Sequence, residues 1–180
     1  MAARSQDIEK NGTAKNPRDI ELVDKIMTQL INSGAYELKV NSLPFVWNVN
    51  NSEKFNASCY PMDYVSINLG LLKHMNYDEN KIAAVLAHEM THGIEQHSAK
   101  IFASAIAQQL GAVMVGANVD NGRNVNWSKL GGMVGYSIAK NIIVPAEYAA
   151  DEGGFYLMTS AGFNPGGGAA AMARMDYYFR

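Results

Sequence analysis

Between Ile82 and Gly93 the chain reads IAAVLAHEMTHG, an apolar helical repeat that carries a carboxylate, Glu89, inside its stripe. At about 100° per residue, Ile82, Val85, Leu86, Met90 and Gly93 share an arc of roughly 140°, and Glu89 falls within it. This constrains the fold more than any other stretch, because a carboxylate buried without a partner is strongly unfavourable or takes up a proton. His88 and His92, four residues apart, stand one turn above the other on the rim of the arc, so both imidazoles can face one ion. The spacing His-Glu-x-x-His then has a mechanical meaning: two histidines hold Zn²⁺, an open position keeps a water, and Glu89 takes that water's proton without being a ligand. The competing reading, a hydrogen-bonded polar patch on a core helix, gathers three titratable groups with no charge to organise them.

Two histidines leave a catalytic zinc one protein ligand short. His97 lies about 140° around the helix from His92 and cannot reach the same ion while the helix continues. A carboxylate from the helix that follows Pro145 suits better. In Glu-Tyr-Ala-Ala-Asp, Glu147 and Asp151 are four apart and project to one side of a small-residue helix that can approach another closely. One can ligate while the other hydrogen-bonds the outer nitrogen of a ligating histidine, so Glu147 is assigned to the metal and Asp151 to the imidazole behind it. The single cysteine, Cys59, excludes an intrachain disulfide and a Cys-rich zinc knuckle, and it reads as a small core residue. His74 reads as a surface side chain near a helix start.

Apart from Glu147 and Asp151, residues 1–81 and 94–180 supply the scaffold. Asn16-Pro17-Arg18-Asp19 predicts an N-cap, a first-turn proline and an acid opening a helix that runs to Gly34. Phe45 to Val49 and the alternating run from Tyr64 to Leu69 predict two or three strands of a small sheet, with turns near Asn50-Asn51 and Pro61-Met62-Asp63. Asn76 followed by Glu79 predicts the start of the Glu89 helix, which continues to His97 or beyond. Further helices are expected over 101–119, over 127–144 and from Ala146 to Ser160, the last closed by Gly162, with a loop at 120–124 and a short final helix after Gly166-Gly167-Gly168. Residues 1–16 read as a polar segment and 17–180 as one domain. Fifteen Lys and Arg against 17 Asp and Glu, with no basic run, argue against a nucleic-acid partner. The start has no apolar core of a secretory signal, and 101–119 is too rich in Gln, Ser, Ala and Gly for a membrane span, so no transmembrane segment is expected.

Three blocks together resemble the gluzincin metallopeptidases of family forty-eight, which include the CAAX prenyl proteases, the HtpX heat-shock proteases and the soluble BepA-type proteases. They are Asn56-Ala57-Ser58-Cys59-Tyr60-Pro61 leading to Gly70-Leu71-Leu72; Ala84 to His92; and Glu147 to Asp151 followed by Ala161-Gly162-Phe163-Asn164-Pro165. The resemblance implies a mainly helical α+β zincin with a small sheet beside the active-site helix. It also implies a zinc endopeptidase with one Zn²⁺ per chain, Glu147 as third ligand, and a strand from Val65 to Leu69 that edges the cleft and pairs with extended substrate. Nearness to the BepA-like branch implies unfolded or misfolded polypeptide as substrate, a bacterial envelope or periplasmic location, and a part in protein quality control. Rival readings are a zinc-containing chaperone or binding protein whose cleft is shut under 101–119, and a zinc amidohydrolase acting on cell-wall peptides. The chain departs from the family at Met62-Asp63, where many members have two glycines, and at Ile142 to Ala146, which lacks the arginine others carry. Tyr136, Tyr148 and Arg123 are the remaining candidates to stabilise an oxyanion, each better read as structural.

Overall fold

The computed structural model describes residues 2–33, 40, 43–60, 64–95 and 144–179. In chain order the elements are α1 (Ala2–Asn11), α2 (Pro17–Ile31), β1 (Val46–Asn50), β2 (Ala57–Tyr60), β3 (Tyr64–Asn68), α3 (Leu69–His74), α4 (Glu79–Ile94), α5 (Val144–Ser160) and α6 (Gly166–Phe179). The fold is mainly helical α+β, and the described residues include a small three-stranded mixed sheet. The expected segments at 101–119, 120–124 and 127–143, and the turn at 61–63, lie outside the described residues.

Local signals behave as expected in α2: Asn16 accepts from the Arg18 N–H, Pro17 opens the helix, and Val23, Ile26, Met27 and Leu30 are buried. α4 starts differently from the sequence reading. Its N-cap is Asp78, whose side chain accepts from the N–H groups of Asn80 and Lys81, while Asn76 and Tyr77 adopt positive φ in the turn before it. Asn tolerates that conformation, which is why a residue that looked like a cap serves as a turn. α3 was not anticipated: the strand run in the sequence reading ends at Leu69, and Gly70-Leu71-Leu72 has no element of its own there. A Cβ on Gly70 would lie 2.2 Å from the Glu53 carbonyl oxygen, so this short helix seats against the chain entering β2 only with glycine there.

The strand order is β1-β3-β2, with β1 parallel and β2 antiparallel to β3. The expectation that the strand from Val65 to Leu69 edges the cleft is therefore corrected: β3 is central and paired on both sides. Of the two edges, that of β1 is partly covered by the chain after α1, since Ala14 N donates to the Val49 carbonyl at 2.7 Å and Asn51 N to the Asn11 carbonyl at 3.1 Å. The edge of β2 faces α4.

Residues 2–11, within the segment read as polar, form a helix that lies against β1 and β3. Asp7 is its anchor, buried among the Tyr64 hydroxyl at 2.5 Å, the Ser66 hydroxyl at 2.8 Å and the Asn50 amide at 3.0 Å, all of which donate to it. One face of the sheet is thus a polar contact with α1. The other turns Val65 and Ile67 into a core shared with Leu71, Leu72, Ile82, Leu86, Met90 and Leu157.

Candidate metal centre

Helix α4 packs most extensively on α5, and the crossing is close because α5 presents glycine there. A Cβ on Gly154 would sit 2.8 Å from the His88 backbone nitrogen, and one on Gly153 would sit 2.5 Å from Thr91 Cγ2. These two glycines bring Glu147 and Asp151 within reach of the α4 histidines. They escaped notice in the sequence, where only the general smallness of this helix was legible.

Sequence reasoning singled out His88, Glu89, His92, Glu147 and Asp151, and the structure brings all five to one place. His88 Nε2 and His92 Nε2 are 3.1 Å apart, and the Glu147 carboxylate oxygens lie 3.4 Å from each of these nitrogens. One ligand atom from each of the three residues lies within 4.8 Å of the others. Four ligands placed tetrahedrally at zinc–nitrogen distances stand about 3.3 Å from one another, so the observed separations fit an ion of that size. Behind the site, His88 Nδ1 is 2.9 Å from Asp151 Oδ1. A carboxylate there holds the proton on Nδ1 and turns the Nε2 lone pair towards His92 and Glu147, an assembly of acceptor atoms that suits a cation.

Glu89 is half-buried beside this cluster, and its Oε2 accepts from the Cys59 backbone N–H at 3.0 Å. Burial pushes its carboxyl above the ordinary glutamate value and the charge of Glu147 adds to that, against opposing contributions from His88 and the Cys59 N–H. Cys59 thus matters through its backbone, which no side-chain pattern could reveal. Because the Cys59 N–H turns away from β3, the alternation of an antiparallel ladder also directs the backbone polar groups of Ala57 outward along the same edge.

A cavity of about 660 Å³ opens from His88, Glu89, Glu147 and Asp151 along α4 towards α6. Tyr148 is 71% exposed and does not line it. His97, Arg123 and Tyr136 lie outside the described residues. His74, read as a surface side chain, ends α3 instead and packs against the rings of Phe55 and Tyr178, at 5.4 and 4.4 Å between centroids.

The sequence model of Peptidase family M48 matches residues 21–173, a span that takes in every one of these five residues. The chain belongs to Peptidase family M48. Members of the M48 family are metal-dependent peptidases, so a polypeptide is the substrate, and the His88, His92 and Glu147 group can bind a metal. No curated protein matches the chain. Among the described residues of this M48 peptidase, no helix is long and apolar enough to cross a membrane.

Proposed function

We propose that this M48 peptidase is a zinc-dependent endopeptidase in which His88, His92 and Glu147 hold Zn²⁺, Asp151 positions His88, and Glu89 is the catalytic base. The observation that carries the reading is the convergence of three ligand atoms at zinc-like separations with Glu89 alongside. Two imidazoles and one carboxylate form a donor set used by catalytic zinc, with a position left for water. When bound, the ion supplies Lewis acidity, polarising the scissile carbonyl and making water acidic enough to react near neutral pH.

The chain's own residues do the rest. The Cys59 N–H fixes Glu89 Oε2, which leaves Oε1 to take the proton from the attacking water and pass it to the leaving amine. Its raised proton affinity suits both halves of that transfer. An extended peptide pairs with the outer edge of β2, using the Ala57 N–H and carbonyl and the Cys59 carbonyl. A backbone read in this way must be extended, so unfolded polypeptide is the proposed substrate state. A place in envelope protein quality control is proposed on the resemblance to the BepA-like branch alone. Unfolded casein should be cut by the zinc-loaded protein, not cut after chelation, and cut again once Zn²⁺ is restored. Cleavage that survives complete chelation would refute the assignment.

A further inference from the structure

The cavity beside the candidate metal centre is larger than the catalytic groups require, and its far wall is of one chemical kind. Beyond His88, Glu89, Glu147 and Asp151 its described lining is apolar apart from Asn56, and it includes Leu71, Val85 and Met158 together with Met172, Met175 and Phe179 from α6. No lysine or arginine appears among the described residues that line it. Its 660 Å³ lies in the range of pockets that enclose whole organic ligands, enough for a scissile peptide and a large side chain next to it. Asn56 and Ala57 line the same space, so a peptide paired with β2 passes over its mouth.

We propose that this cavity is the selectivity pocket for a large apolar residue flanking the cleaved bond, and that Met172 on α6 is its selectivity-determining residue. The proposal rests on the endopeptidase reading above. A carboxylate side chain entering the pocket would be stripped of water with no lysine or arginine among the described lining residues to receive it, and with Glu89, Glu147 and Asp151 nearby to repel it. Leucine, phenylalanine and methionine gain burial instead, and the thioethers of Met158, Met172 and Met175 adapt to each of these shapes. Selection is therefore strong between apolar and acidic residues and weak among apolar ones. Met172 is 59% exposed, so it can be replaced without opening a hole in the core.

The test uses zinc-loaded full-length protein and quenched fluorescent peptides that differ only in the residue on either side of the cleaved bond. Wild type should prefer Leu, Phe or Met over Asp or Glu at one of these positions by at least about tenfold in kcat/KM, the order expected for burying an unpaired charge. Met172→Lys should shift the Glu-to-Leu ratio upward by about tenfold and Met172→Glu should shift the Lys-to-Leu ratio likewise, both with unchanged metal content. In parallel, fluorescence anisotropy with zinc-loaded Glu89→Gln protein reads the same preferences as binding, without hydrolysis. Cleavage with ratios that ignore residue 172 overturns the pocket and leaves the peptidase standing. Binding preferences that follow residue 172 in the absence of any cleavage by wild type uphold the pocket and overturn the peptidase. Neither cleavage nor selective binding overturns both.

Discussion

Asp7 and Glu89 are both carboxylates turned into the protein, and their surroundings move them in opposite directions. At Asp7, burial alone would raise the carboxyl, but hydrogen bonds from Tyr64, Asn11 and Ser66 outweigh it and hold the group below the ordinary aspartate value. Tyr64 pays the reciprocal cost, its phenol pushed well above the usual tyrosine value by burial and by Asp7. At Glu89 the Cys59 N–H and His88 do not offset burial, and the carboxyl rises. A saturated carboxylate fastens one element to another. An undersupplied one keeps appetite for a proton or a cation, which is the condition of a reacting group.

The largest effect expected from breaking this contrast is on stability. Asp7→Ala leaves the Tyr64 and Ser66 hydroxyls and the Asn50 amide without their shared acceptor, and should destabilise the fold by on the order of 3 kcal/mol in urea denaturation. Loss of peptide cleavage without that loss of stability would show that Asp7 belongs to the reactive class after all. Gly154→Ala attacks the other side, since its Cβ forces α5 away from His88. It should cost about 1–3 kcal/mol and weaken metal binding, read by denaturation and by chelator competition on one sample. Asp151→Asn removes the charge behind His88 without disturbing the core, because Asp151 is exposed. Metal affinity should fall about 10–100-fold with Tm of the metal-free protein unchanged.

Titration sharpens the same comparison. Since the folded state depresses Asp7, its contribution is full above the unfolded value near 4 and is lost as pH falls through the lower folded value. Tyr64 acts at the other end: the unfolded phenol ionises near 10, the folded one resists, and stability drops as pH rises past 10. Asp7→Asn should flatten the acid arm of a pH–Tm curve. For Glu89 the sign is reversed, because a raised folded value imposes a penalty that appears as pH climbs through the unfolded value near 4.5. Glu89→Gln should therefore stabilise the metal-free protein slightly at neutral pH, by on the order of 1 kcal/mol or less, and not in acid.

The two carboxylates also mark what could be read from the chain. Glu89 was legible because it interrupts an apolar helical stripe between two histidines, and Glu147 and Asp151 followed from ligand arithmetic and a four-residue spacing. Asp7 was not, because a polar helix docked on a polar sheet face leaves no hydrophobic period to detect. Tyr64 and Ser66 alternate with Val65 and Ile67 as solvent-facing residues do, yet α1 covers them. Strand order is likewise invisible to periodicity, so the edge role given to β3 rested on the resemblance alone, and the backbone of Cys59 went unnoticed.

Glu89→Gln, measured once for bound metal by elemental analysis and once for hydrolysis of unfolded casein, tests the central division of labour most directly. The expected result is one zinc per chain, as in wild type, with cleavage reduced by at least about 10²-fold, the least a lost general base should cost. Zinc lost together with Glu89, or cleavage left intact, would contradict it.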